Sequence, residues 1–332
     1  LTRSSAASDV YKRQNKMYLE IDKLSKNYSK NNILNNLSFN VKEGDVVSIV
    51  GPSGSGKTTL LKCISGLCDV DNGSIRLNSK LLIKTEPNKR NIAYVFQESP
   101  LFPHLTVNEN ILFNLKIFDR EKLNFILEKI NLGHLKNRYP HEISGGENQR
   151  VAVARSLIRN PDLLLMDEPF SNLDFYVKDQ LKELIFELIR ELNTTTIIVN
   201  HDIKDSLEIS DRILILINGE INNYDIPNMV YSKPKCLESA RLFGALNKIN
   251  INNELFYCRP EHIKPSSSGI SASVINSTFM GSFYKIRAHI NDEKIIFFSD
   301  KDLSLGENIY LEIDSKKRVF FVWFYKKHIN KF

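Results

Sequence analysis

The 332-residue chain has little of what stapled or membrane-spanning proteins are built from. Its four cysteines, Cys63, Cys68, Cys236 and Cys258, form no CxxC pair and no regular spacing. That excludes a disulfide framework and a zinc ribbon, and it suits a reducing cytoplasm. No apolar run approaches the roughly 18 residues that a membrane helix needs. The longest runs, residues 213–217 and 319–325, are strand-sized. Charge of one sign is also scarce: 45 basic against 39 acidic residues leave +6, and Arg3, Lys12, Arg13 and Lys16 against Asp9 place half of that excess in the first sixteen positions. The remainder is too small to argue for a nucleic-acid partner. Glycine is sparse at 14 residues, so a local cluster of it marks a place where the backbone needs freedom.

What is present suits a soluble globular chain of two domains, with 42% hydrophobic and 25% charged residues. Residues 9–14, DVYKRQ, read as adapter sequence translated in frame, and Met17 opens a strand pattern. Residues 1–16 are therefore expected to be non-native and are left out of the fold reading. From 17 to 245, short β-branched runs alternate with longer helical patterns, as in an α/β domain with a parallel central sheet. The runs 46–50, 92–96, 163–166 and 195–199 are almost wholly apolar, as strands covered on both faces should be. Between about 99 and 160 the period becomes helical, with helices expected over 107–118 and 121–130, a helical subdomain inserted in the sheet. Tyr231-Ser232-Lys233-Pro234 breaks the pattern, a last helical stretch runs to about Ala245, and 247–253 reads as a polar linker. Residues 246–332 then carry short strand patterns at 271–279, 283–290, 294–298, 308–313 and 319–325, the mark of a small all-β, barrel-like domain.

Three stretches carry chemistry. Gly51-Pro52-Ser53-Gly54-Ser55-Gly56-Lys57-Thr58 follows an apolar run and precedes a helical pattern beginning Lys57-Thr58-Thr59, which is the context of a phosphate-binding loop. Its three glycines let backbone N–H groups close round phosphate oxygens at a helix N-terminus. Lys57 would reach the β- and γ-phosphates and Thr58 would ligate Mg²⁺. Leu163 to Met166 lead into Asp167-Glu168-Pro169, an apolar strand ending in two carboxylates. Asp167 is assigned to the metal and Glu168 to the general base. Ser144-Gly145-Gly146-Glu147-Asn148-Gln149-Arg150 opens a helical run and spends two more glycines, so Ser144, Gly145 and Gly146 offer a second anion-binding helix start.

That last string resembles the signature of ATP-binding cassette (ABC) ATPases, and the resemblance covers residues 17 to about 245. It implies a phosphate-loop cassette that binds ATP with Mg²⁺ and works as a homodimer. Each site would combine Lys57, Thr58, Asp167 and Glu168 of one copy with Ser144 to Gly146 of the other. It further implies that Gln97 senses the metal and links to a transmembrane permease, that His201 contacts the γ-phosphate, and that Tyr28 stacks on adenine. Asp174, in Ser171-Asn172-Leu173-Asp174, would lie at the dimer interface. Two departures are visible: Glu147 stands where the signature usually has Gln, and Asn200 precedes His201 where Thr is common.

Residues 96–107, with Arg259-Pro260-Glu261-His262 in the C-terminal part, look like the importer branch with its appended TOBE domain. That branch serves sugars, ferric iron, polyamines, sulfate or molybdate; a cargo of ferric iron or polyamine is expected here, Tyr139-Pro140-His141-Glu142 leaning towards iron. The resemblance places the chain at the cytoplasmic face of the plasma membrane, with a substrate-binding receptor as an indirect partner. Two rival readings stand beside it. A soluble cassette ATPase of translation or DNA repair would usually fuse two cassettes or carry long heptads, whereas one phosphate loop and no sustained heptad is present. A small-molecule kinase would have no use for the Ser144 string or the β domain.

Overall fold

The computed structural model describes residues 17–321 apart from 30, 99, 172, 173, 201, 252 and 292, with no side-chain description at 175 and 176. The chain divides into two units, 1–230 and 231–332, which are described separately.

In the first unit, Met17–Tyr28 (β1) and Asn31–Lys42 (β2) form an antiparallel hairpin joined by Asn72–Leu77 (β4) and Lys80–Leu81 (β5), in the order β2-β1-β4-β5. The central sheet holds Val46–Val50 (β3), Ile92–Val95 (β6), Leu163–Asp167 (β7), Thr196–Val199 (β8), Arg212–Ile217 (β9) and Glu220–Asp225 (β10). Its order is β10-β9-β3-β8-β7-β6, parallel throughout except for β10 at one edge. The apolar runs are strands because both faces are covered, and the period of two divides their side chains between two cores. Leu164, Met166 and Ile198 pack with the helices on one face; Leu163, Leu165, Ile197 and Val199 pack on the other with Lys57–Ser65 (α1) and the antiparallel sheet.

Between β6 and β7 lie Val107–Leu112 (α2), Arg120–Lys129 (α3) and Gly145–Leu157 (α4). The helix expected over 107–118 stops at Leu112. Asn114 takes a left-handed φ of 59°, which ends a helix, and Asp119 caps the next one on the amides of Glu121 and Lys122. After β7, Phe175–Glu191 (α5) and Ile203–Ile209 (α6) flank β8.

The second unit begins inside the helix Pro227–Ser232, earlier than the boundary read from sequence, and it contains the helix Leu237–Leu242. The polar linker expected at 247–253 is instead half of a hairpin, Asn247–Ile251 (β11) with Glu254–Cys258 (β12). Its alternation buries Asn247 and Ile249, and the buried Asn247 amide pairs in both directions with the backbone of Ile296 at 2.7 Å. Ile263–Ser266 (β13), Ile270–Phe279 (β14), Tyr284–Ile290 (β15), Glu293–Ser299 (β16) and Asn308–Ile313 (β17) form an antiparallel sheet, β13-β17-β14-β15-β16, around a core that includes Phe256, Ile286 and Phe297. Of the strand expected at 319–325, Val319 makes a single bridge to Tyr257, and 322–325 lie outside the described residues.

Arg259 explains why the segment after 231 belongs with the β strands. The residue is 4% exposed, and its guanidinium lies 4.0 Å over the Tyr231 ring. It donates to the carbonyls of Tyr231, Ala240 and Phe243 at 3.3–3.4 Å, so one cation serves the C-terminal ends of two short helices. Arg259→Met is expected to orphan those carbonyls and cost the second unit about 2–4 kcal/mol. Urea unfolding read by a probe in the β unit checks this, and an unchanged midpoint would count against the clamp.

Candidate functional site

The phosphate loop takes its shape from contacts a side chain would not permit. A Cβ on Gly51 would lie 2.0 Å from the Leu216 carbonyl of the neighbouring strand, and Gly56 begins α1 at a φ of 101°. Within the loop, Lys57 is folded back so that its ammonium donates to the carbonyls of Gly51 (2.9 Å) and Pro52 (3.0 Å). Burial pushes the Lys57 pKa down, while Glu168 and Asp167 oppose the shift. Ser53 and Gly54 face solvent at the tip. The Ser55 hydroxyl is buried with no hydrogen-bond partner, an orphan that a phosphate oxygen entering the loop would satisfy.

Parallel pairing sets Asp167 opposite Val199, and Val199 opposite Ile49, so the strand ends carrying the loop and the two carboxylates share one edge. Thr58, at the first turn of α1, donates its hydroxyl to Asp167 Oδ1 at 3.1 Å; Thr59 follows it, half-buried. The Tyr94 hydroxyl donates to Asp167 Oδ2 at 3.0 Å, and burial beside that carboxylate drives the phenol pKa well above its usual value. Glu168 has a left-handed φ of 47°, a strained backbone for a residue with a Cβ. Its amide is held by the Val199 carbonyl at 3.0 Å, and its own carbonyl accepts from Ser171 N and Oγ. Gln97 donates to the Ser171 hydroxyl at 3.2 Å, which joins Gln97 to the Glu168 backbone through one side chain.

Tyr94 and Ser171 were not singled out from the sequence. An apolar strand gives no sign that its Tyr points at a carboxylate 73 residues away in sequence, and Ser171 stands in the sequence only as part of a loop string.

Other expected residues fall elsewhere. The Tyr28 hydroxyl, at the end of β1, lies 3.1 Å from Cys68 Sγ, beyond the C-terminal end of α1. Asp174 starts α5 and is exposed. His201 lies outside the described residues. Its neighbour Asn200, one of the two departures, is buried and donates to Ser48 Oγ (3.3 Å) and Ser206 Oγ (3.1 Å), so the amide ties β3 to α6. Ser144 caps α4, and Gly145 and Gly146 form its first turn. The Ser144 hydroxyl accepts from the Glu147 amide, while the Glu147 carboxylate accepts from the Ser144 amide at 2.7 Å. The second departure, Glu147, thus closes a capping box.

The comparisons with known proteins agree with this geometry. Residues 34–171 match the ABC transporter family. The chain is 33% identical over 340 residues to the Fe(3+) ions import ATP-binding protein FbpC of Fusobacterium nucleatum, covering 90% of this chain and 92% of that protein. It is also 33% identical over 339 residues to the sulfate/thiosulfate import ATP-binding protein CysA of Mesostigma viride, covering 90% and 97%. Among solved structures, the dimeric post-hydrolysis cassette MJ0796 bound to ADP and Pi aligns with a TM-score of 0.56 at 30% identity, over 63% of this chain and 98% of that one. CbiO1 of Clostridium perfringens, part of the complex cbiONQ, aligns at 0.61 and 28%, over 66% and 92%. This chain belongs to the ABC transporter family. It is one of the family's ATP-hydrolysing subunits of import type, a cassette followed by a TOBE-like β domain.

The backbone bond from Ser144 to Glu147 holds that carboxyl below its usual range. A depressed folded-state pKa contributes stability that is fully present above the ordinary value of 4.5 and is lost as pH falls through the folded value. The stability advantage of the native chain over Glu147→Gln should therefore be largest near neutrality and shrink on acidification, while Ser144→Ala costs about 1 kcal/mol at neutral pH. Denaturant unfolding of the three proteins between pH 7 and 4 measures both; an advantage independent of pH would refute the carboxylate's part in the cap.

Proposed function

We propose that this chain drives import as one of two identical copies that enclose two molecules of ATP between them, at the cytoplasmic face of the plasma membrane. Among the described residues no helix is long and apolar enough to cross a membrane, so movement of cargo falls to permease subunits that this chain would drive. The observation that carries the reading is the meeting of Thr58 with Asp167 at 3.1 Å, at the head of the phosphate-loop helix and one residue before Glu168.

In this reading the amides of residues 51–58 hold the β- and γ-phosphates, and Lys57 leaves the Gly51 and Pro52 carbonyls to pair with them. Tyr28 stacks on adenine. Thr58, Asp167 and the Gln97 amide carbonyl present only oxygen donors, which suits Mg²⁺, and the ion when bound would neutralise charge on the transferring phosphoryl group. Glu168 orients the attacking water and takes its proton, and His201 steadies the γ-phosphate. Ser144, Gly145 and Gly146 of the second copy supply the opposite wall, with Asp174 at the interface. Gln97 passes the state of the site to the permease, which in turn meets the cargo receptor. Identity to the iron and the sulfate subunits is the same 33% over nearly the whole chain, as expected of a subunit that never touches the cargo. Of the cargoes expected from the sequence, ferric iron is the one named for the Fusobacterium relative.

Glu168→Gln should keep ATP binding near the native affinity and lower phosphate release about 100-fold or more. Equilibrium nucleotide binding and steady-state phosphate release measure the two arms, and native turnover in that variant would remove Glu168 as the base. The specific activity of the native chain should also rise with protein concentration as copies pair. A constant rate from a monomer at every concentration would overturn the two-copy site.

A further inference from the structure

A cluster of charges behind the carboxylate edge is used by none of the roles above. Lys178, on α5, reaches Asp205 Oδ2 at 2.7 Å and Asp202 Oδ2 at 3.4 Å. Lys182, one turn further, takes the other oxygen of Asp205 at 3.1 Å, together with Glu208 at 2.5 Å and Asp179 at 3.4 Å. The Lys182 and Asp205 side chains are 7% and 8% exposed. A carboxylate this deeply buried is costly unless paired, and here each of its oxygens has its own ammonium.

The placement of the cluster gives it a function. Asp202 caps α6 on the Lys204 amide, and Asp205 lies in the first turn of that helix. Asn200 is held by Ser48 and the Ile49 carbonyl of β3 and by Ser206 of α6. In sequence His201 therefore stands between two pinned neighbours, one held by the β3 side and one by Lys178. Lys178 also borders a small cavity of about 30 Å³ with Glu168, Ser171, Asn200 and Asp202, whereas Lys182 does not line it. The Lys178 amide is bonded to the Asp174 carbonyl at 2.9 Å, which places the residue in the first turn of α5, the helix entered from the Glu168 and Ser171 turn.

We propose that Lys178 is a positioning residue for ATP hydrolysis: through Asp202 and Asp205 it locks the start of α6 to the start of α5 and so sets the spacing between the Glu168 turn and the residues after β8. The proposal rests on the hydrolytic reading above and assigns within it a residue that touches neither nucleotide nor water. Lys182 shares Asp205 but not the cavity, and it serves stability alone.

The test compares Lys178→Met, Lys178→Arg and Lys182→Met in the full chain, reading kcat and KM for ATP, nucleotide affinity and the thermal midpoint. Lys178→Met is expected to lower kcat about ten-fold with KM and nucleotide affinity within about two-fold, since a misplacement of about 1 Å can cost up to roughly 100-fold. Lys178→Arg, which restores the cation, should recover most of the rate. Lys182→Met should lower the thermal midpoint and leave kcat, measured well below that midpoint, at the native value. Should Lys178→Met not fold, Asp202→Asn replaces it. That change keeps the helix cap and the Asp205 pairs while removing one ion pair, and a fall in kcat of about three-fold is expected. Native kcat in Lys178→Met, or in Asp202→Asn where that stands in, overturns the proposal. Equal losses of kcat in the Lys178 and Lys182 variants, in step with their midpoints, do the same by showing a purely structural role. A native chain that binds ATP but releases no phosphate would instead overturn the hydrolytic reading, and the lock would fall with it.

Discussion

Everything at the candidate site depends on three parallel strands lying side by side. Hydrogen bonding sets β3, β8 and β7 about 4.8 Å apart, and their register aligns Ile49, Val199 and Asp167 almost level. The chain leaves each strand at the same edge, so the phosphate loop, Asn200 and the Asp167-Glu168 pair are neighbours although they are far apart in sequence. The apolar composition of these strands is a condition of the site, because only strands buried on both faces can sit in the middle of such a sheet. The two cores that cover them meet this need with ordinary aliphatic packing.

At the end of β7 the backbone is strained. Glu168 holds a left-handed backbone that costs on the order of 1–3 kcal/mol for a residue with a Cβ. The Val199 carbonyl and the two Ser171 bonds hold it there. Such a turn aims the side chain of Glu168 differently from a continued strand, in which it would alternate with Asp167 across the sheet. The Gln97 bond to Ser171 means that any movement of the loop after β6 is felt at the same carbonyl. Lys57 and Thr58 complete the edge from the helix side; Lys57 is paired with carbonyls it could exchange for phosphate oxygens, and the Thr58 hydroxyl oxygen, beside Asp167, would be free to face a metal ion.

Much of this arrangement was legible in the sequence. The phosphate loop, the carboxylate pair and the Ser144 helix start are local patterns whose residues act within one turn, and the structure folds each as the pattern requires. Partnerships that cross the fold left no such trace. Tyr94 to Asp167, Ser171 between Gln97 and Glu168, and Lys178 with Asp205 join residues whose spacing in sequence is arbitrary. The segment 247–253 misled for a different reason: its asparagines suggest a linker, but Asn247 spends its amide on the backbone of a neighbouring strand, and Ile249 and Ile251 keep a strand's alternation. Asn114 misled in the opposite sense, ending a helix that the apolar period carried onward.

The folding of the Ser144 helix start suits the phosphate contact proposed for it. A helix begins with four amides that lack intrahelical partners, and an anion site needs some of them left available. The capping box engages the amides of Ser144 and Glu147 and does not engage those of Gly145 and Gly146, which lie between them. The helix is thus stabilised by two outer bonds that use neither glycine amide. The Glu147 carboxylate is drawn back onto the Ser144 amide and lies 3.6 Å from Arg150, so its charge is met within the helix instead of facing an incoming anion alone. The departure from the usual Gln therefore strengthens the cap without taking the donors that the signature would need.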